Sequence, residues 1–173
     1  LSQVIPILII PFLTRIYSPD DFGFVAVLVS ISSILSVFAS GKFELALVLT
    51  RNKQERIRLF TLCLALLTVF ICFLTIITCL IFLADYLFVL PFEIDIRYMF
   101  LPLVVFLIAV SNIFYNYVNS EKKFKELALS SIIYSLVKNG VALAFYFASS
   151  VGLVIGELVG RVSFLFYLKK TFS

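Results

Sequence analysis

Four polar residues stand inside otherwise apolar stretches toward the end of the chain: Lys138, Asn139, Glu157 and Arg161. If those stretches cross a bilayer, a charge at mid-depth costs roughly 2.5–3.5 kcal/mol on insertion scales, so these groups must face protein or water. Glu157 and Arg161 are four residues apart and share one helix face, the spacing at which a carboxylate and a guanidinium pair. A hairpin turning at Ser149-Ser150 brings Lys138 to nearly the depth of Arg161, with Glu157 one turn further out. The residues leave two readings open. Either the cations form a wall of a central cavity that holds anions, or the three charges close a buried network in which Lys138 clamps two helices.

Other polar positions support less. Asn112, Asn116 and Ser120 make a stripe at i,i+4 spacing with Tyr115 beside it, suited to a cavity mouth or to hydrogen bonds between helices. Arg15 reads as an interfacial anchor or a lumen charge. Glu44 reads as a surface carboxylate at a helix end. Gly152, Gly156 and Gly160 form overlapping GxxxG units, a face that lets another backbone approach closely. Cys63, Cys72 and Cys79 share one helix-length run; even the last two lie roughly 10 Å apart at 1.5 Å per residue, too far to bridge. The chain has no His, the commonest general base and metal ligand. No GxSxG, P-loop or HExxH pattern occurs, so no enzyme chemistry, metal or cofactor is expected.

The elements that must position these groups are transmembrane helices. The chain is 62% hydrophobic, with a mean hydropathy of +1.15, where a soluble domain holds about 45–50% apolar residues. The pattern predicts an all-α, polytopic bundle: one transmembrane domain over residues 1–173 with six spans, at about 1–16, 21–40, 57–83, 99–119, 127–148 and 151–168. Pro6 and Pro11 predict a kinked first helix. Ser18-Pro19-Asp20-Asp21 reads as the cap of the second, with Ser at N-cap, Pro at N1 and carboxylates at the positive helix end.

The basic residues lie mainly in alternate gaps. Residues 41–58 hold Lys42, Arg51, Lys53, Arg56 and Arg58; the gap at 120–126 holds Lys122, Lys123 and Lys125; Lys169 and Lys170 follow the last span. The opposite side holds Arg15 and Arg97, and its 84–98 loop carries Asp85, Glu93 and Asp95. Positive-inside logic therefore places both termini in the cytoplasm. The net charge of +4 reflects this orientation rather than a nucleic-acid partner. The first run falls short of the ~20 residues a span needs and starts without Met, so the chain is expected to be a fragment.

Four stretches carry a resemblance. FELALVL at residues 43–49, PFLTRIYSPDDFG at 11–23, KKFKELA at 122–128 and GLVIGELVGR at 152–161 resemble bacterial lipopolysaccharide O-antigen flippases. These are polysaccharide-biosynthesis membrane proteins of the multidrug/oligosaccharidyl-lipid/polysaccharide exporter superfamily. Glu121 stands where that family often has Arg before its basic run. The resemblance implies the N-terminal half of a two-lobed transporter in the bacterial inner membrane. It further implies flipping of an undecaprenyl-pyrophosphate-linked oligosaccharide, with membrane lipids and the missing C-terminal half as the other partners. In that setting Lys138 and Arg161 would hold pyrophosphate or acidic sugars, and Asn112 and Asn116 sugar hydroxyls. A drug or cation exporter of the same superfamily is the nearest alternative, and a membrane polysaccharide polymerase with a catalytic 84–98 loop a more distant one.

Overall fold

Ser18 and Gly41 set the limits of the first long helix. Ser18 is extended, its hydroxyl accepts the Asp21 N–H, and the Asp21 carboxylate accepts the Ser18 N–H in return, a closed capping box with proline at the first helical turn. At the other end Gly41 takes a left-handed conformation (φ 55°) and returns its N–H to the Phe38 carbonyl. The second helix therefore starts and stops as its sequence predicts.

The computed structural model describes residues 4–50, 52–88, 96–148 and 150–172. Its helices are α1 (Val4–Ile16), α2 (Pro19–Ser40), α3 (Ala46–Leu49), α4 (Lys53–Phe88), α5 (Leu101–Ser120), α6 (Phe124–Ala144) and α7 (Ser150–Phe172). Short 3-10 turns at Phe43–Leu45, Ile96–Phe100 and Tyr146–Ala148 join them, and no strand occurs among the described residues.

Five helices are long and apolar enough to cross a membrane: Pro19–Ser40, Lys53–Ala84, Ile96–Ser120, Phe124–Ala144 and Ser150–Lys170. The chain folds as an all-helical, multi-pass membrane protein. Of the six expected spans, the first is the exception, since the apolar helix Pro6–Ile16 is shorter than the others. Three boundaries also move. The third expected span, 57–83, begins earlier and runs longer as α4, because Lys53, Gln54, Glu55 and Arg56 already form its first turn. The fifth starts at Phe124 and stops at Ala144 rather than at 148, where the Tyr17 hydroxyl donates to the Ala142 carbonyl at 2.6 Å and to that of Phe145 at 3.3 Å. The sixth extends to Phe172. Ser149, Arg51 and most of the acidic 84–98 connection lie outside the described residues.

The 43–49 segment is the largest departure from expectation. It folds back as a 3-10 turn and a short helix against α4 and α5, so Glu44 is buried at 5% exposure instead of sitting on the surface. Leu47 from this segment enters the main core with Ala39, Cys63, Leu67, Ala109, Ile113, Tyr117 and Leu168. A second cluster joins Leu13 and Tyr17 to Ala142 and Leu153, and a third joins Leu28 of α2 to Val104, Ile108 and Val154. Much of α4 faces outward with large apolar side chains, as a lipid-contacting helix must.

Candidate functional site

The closest helix pair is α6 with α7, and glycine is the reason. A Cβ added at Gly156 would lie 2.7 Å from the Lys138 carbonyl oxygen, and one at Gly160 would lie 3.0 Å from the Lys138 Cβ. Gly152 sits equally hard against the Phe145 carbonyl. The GxxxG face is thus the α6–α7 contact, and it brings the α7 backbone within side-chain reach of Tyr134 and Lys138.

Glu157, between two of those glycines, is 2% exposed. Its Oε2 lies 2.7 Å from the Lys138 ammonium, and its Oε1 accepts from the Arg161 Nε at 2.7 Å. The Tyr134 hydroxyl stands 2.8 and 2.9 Å from the two oxygens and donates its proton between them. Both cations also lean on the tyrosine ring, Lys138 at 5.7 Å and Arg161 at 5.4 Å from its centroid. One buried carboxylate therefore holds two cations and a hydroxyl, which leaves the cluster one positive charge in excess. The network reading of the sequence describes this geometry, yet the cavity reading survives within it. The Lys138 side chain is 40% exposed and the Arg161 side chain 19%.

What they are exposed to are two separate cavities. The larger, of about 440 Å³, lies between α1, α2, α6 and α7; Pro6, Ile10, Leu13, Phe22 and Val25 give it apolar walls, and Lys138 and Asn139 give it a polar end. The smaller, of about 180 Å³, lies between α5, α6 and α7 and takes in Asn112 and Arg161. Tyr134 lines both. Asn139 is buried and spends one amide N–H on the Ser135 carbonyl at 2.7 Å. Asn116 donates to the Asn112 carbonyl at 3.0 Å and lines neither cavity. Arg15 is exposed in the last turn of α1, away from both. Among the described residues no group of three or more His, Cys, Asp or Glu side chains is placed to hold a metal ion.

The chain matches the polysaccharide biosynthesis protein family over residues 12–171, nearly its full length. It belongs to that family. No curated protein and no solved structure matches it.

In this polysaccharide biosynthesis protein, two contributors to the site escaped the reading of charge and spacing. Tyr134 carries no charge, and its only signal is its place four residues before Lys138 on the same face of α6. The α1 wall of the larger cavity reads as plain apolar helix until Tyr17 ties the α1–α2 turn to the end of α6. Burial pushes the Tyr17 hydroxyl above its ordinary range, with the charge of Asp21 adding to the shift, so it stays a donor.

Proposed function

We propose that this protein is a transporter rather than an enzyme, and that it flips an undecaprenyl-pyrophosphate-linked oligosaccharide across the bacterial inner membrane for O-antigen or a related surface polysaccharide. The observation that carries the proposal is the larger cavity. It has apolar walls from four helices and ends on an ammonium that Glu157 holds in place but does not enclose. Lys138 gives one N–H to Glu157 and keeps two, the right chemistry for a phosphate oxygen at the end of an isoprenoid chain. The family match and the multi-pass helical architecture agree with it. A second half of the same transporter supplies the opposing wall, and rocking of the halves exposes the cavity to each side in turn.

The test follows lipid-linked oligosaccharide on the outer leaflet of cells that carry the full-length protein, with wild type, Lys138→Ala and Lys138→Arg at matched membrane levels. Lys138→Ala should lower flipping at least about tenfold, the scale of one lost charge-assisted hydrogen bond, and Lys138→Arg should retain part of it. Normal flipping by Lys138→Ala would sink the role of this cavity. A wild type that moves no lipid while polymer synthesis still requires the protein would bring the polymerase reading forward.

A further inference from the structure

The smaller cavity has contents unlike the larger one. Six side chains line it: Ser111, Asn112 and Tyr115 of α5, Tyr134 of α6, and Arg161 and Phe164 of α7. Three are aromatic, two are neutral hydrogen-bonding groups and one is a cation. Among the described residues, the Asn112 amide and the Tyr115 hydroxyl make no hydrogen bond, although the backbone around them is fully helical. Arg161 gives only its Nε to Glu157, so the two Nη groups that form the flat end of the guanidinium remain unengaged by any acceptor. Ser111 donates to the Leu107 carbonyl and keeps its acceptor lone pairs.

Lipid tails have no use for these groups, and an apolar helix packed here would leave them unsatisfied. A flat ring with hydroxyls on its rim does have a use for them. A sugar ring presents C–H faces to aromatic surfaces and hydroxyls to amide and phenol groups at its edge, the usual composition of a built small-molecule site. A volume of about 180 Å³ has room for one such ring and not for two. The excess positive charge of the Lys138–Glu157–Arg161 cluster then decides which ring. Glu157 already serves both cations, and the fork of Arg161 matches a second carboxylate in two parallel hydrogen bonds.

We propose that the smaller cavity is a subsite for a single sugar ring bearing a carboxylate, a hexuronate, bound through Arg161, Asn112 and Tyr115. The inference rests on the transport reading above and narrows its substrate to glycans with an acidic sugar. Tyr134, which lines both cavities, would keep the ring of the glycan apart from the phosphate bound at Lys138.

The experiment titrates the full-length protein in lipid nanodiscs with glucuronate, glucose, acetate and inorganic pyrophosphate, read by saturation-transfer NMR on the ligand. Glucuronate should bind wild type at least about tenfold more tightly than glucose or acetate, since each lacks one half of the recognition. Tyr115→Phe and Asn112→Ala should each weaken glucuronate severalfold and leave pyrophosphate unchanged, which also reports that the variants are folded. Tyr115 is 43% exposed, so its variant decides the matter alone if Asn112→Ala does not fold. Glucose or acetate binding as tightly as glucuronate would overturn the proposal. So would no glucuronate binding, or glucuronate binding that neither variant changes. Intact flipping with failed glucuronate binding removes the subsite and leaves the transport reading standing; failed flipping with normal glucuronate binding does the reverse.

Discussion

Glu157 is the residue on which the two cations depend. A buried pair is often no more stable than a hydrophobic replacement, but removal of one partner strands the other charges, at a cost of about 3–5 kcal/mol. Glu157→Gln keeps the shape and removes the charge, leaving Lys138 and Arg161 side by side without a counter-ion. It should therefore lower thermal stability in detergent far more than an exposed change such as Lys125→Gln. An equal midpoint for the two variants would mean that the carboxylate contributes little. Tyr17 makes the corresponding test at the end of the bundle. Tyr17→Phe leaves the Ala142 and Phe145 carbonyls without their shared donor, a loss of about 1–3 kcal/mol. Folding raises this hydroxyl above its ordinary value of 10.0, so its contribution is complete below that pH and fades as the pH climbs through the raised value. Stability curves of wild type and Tyr17→Phe should accordingly converge in strong alkali and stay apart near neutrality. The Lys138, Glu157 and Arg161 triad was legible from charge and spacing because a charge in an apolar run must find a partner. The buried Glu44 was not, since its burial depends on a turn that folds back onto α4 and α5, a tertiary event with no local sign.

At the scale of elements, α6 and α7 act as one unit welded along the glycine face. Gly156→Ala places a methyl group 2.7 Å from a backbone carbonyl on the facing helix, where nothing flexible can yield. The helices must part, which costs about 1–3 kcal/mol by overpacking and lengthens the Lys138–Glu157 contact. Gly23→Ala in α2 is the control, because a Cβ there meets nothing within 4 Å and an alanine favours the helix by about 0.5–1 kcal/mol. Thermal midpoints of the two variants should thus move in opposite directions; a shift of the same sign would mean that the close approach at Gly156 relaxes freely. Helix existence was legible throughout, and so were the Ser18 cap and the Gly41 stop, because both are local chemistry. The end of α6 was not, because a hydroxyl more than a hundred residues away in the chain sets it.

For the whole molecule, charge distribution and cavity placement bear on the same question, which side of the membrane each end of the bundle meets. Lys42 and Lys122, in left-handed turns that follow α2 and α5, mark one end, and Ile96 before α5 marks the other. Basic connections stay on the cytoplasmic side, so the Lys42 and Lys122 end should face the cytoplasm and the Ile96 end the outside. Ile96 is 72% exposed and Lys122 is also exposed, so either accepts a cysteine without disturbing the core. Ile96→Cys should react with a membrane-impermeant maleimide in intact cells, and Lys122→Cys only after the membrane is opened. The native cysteines set a low background, as Cys63 is buried in the core and Cys72 and Cys79 lie in the apolar span of α4. The reverse labelling pattern would invert the bundle. The basic connections would then lie outside, and a lipid-linked glycan made in the cytoplasm would have to enter the cavities from the α1–α2 turn and the Ile96–Phe100 end, which holds few basic side chains to attract an anion.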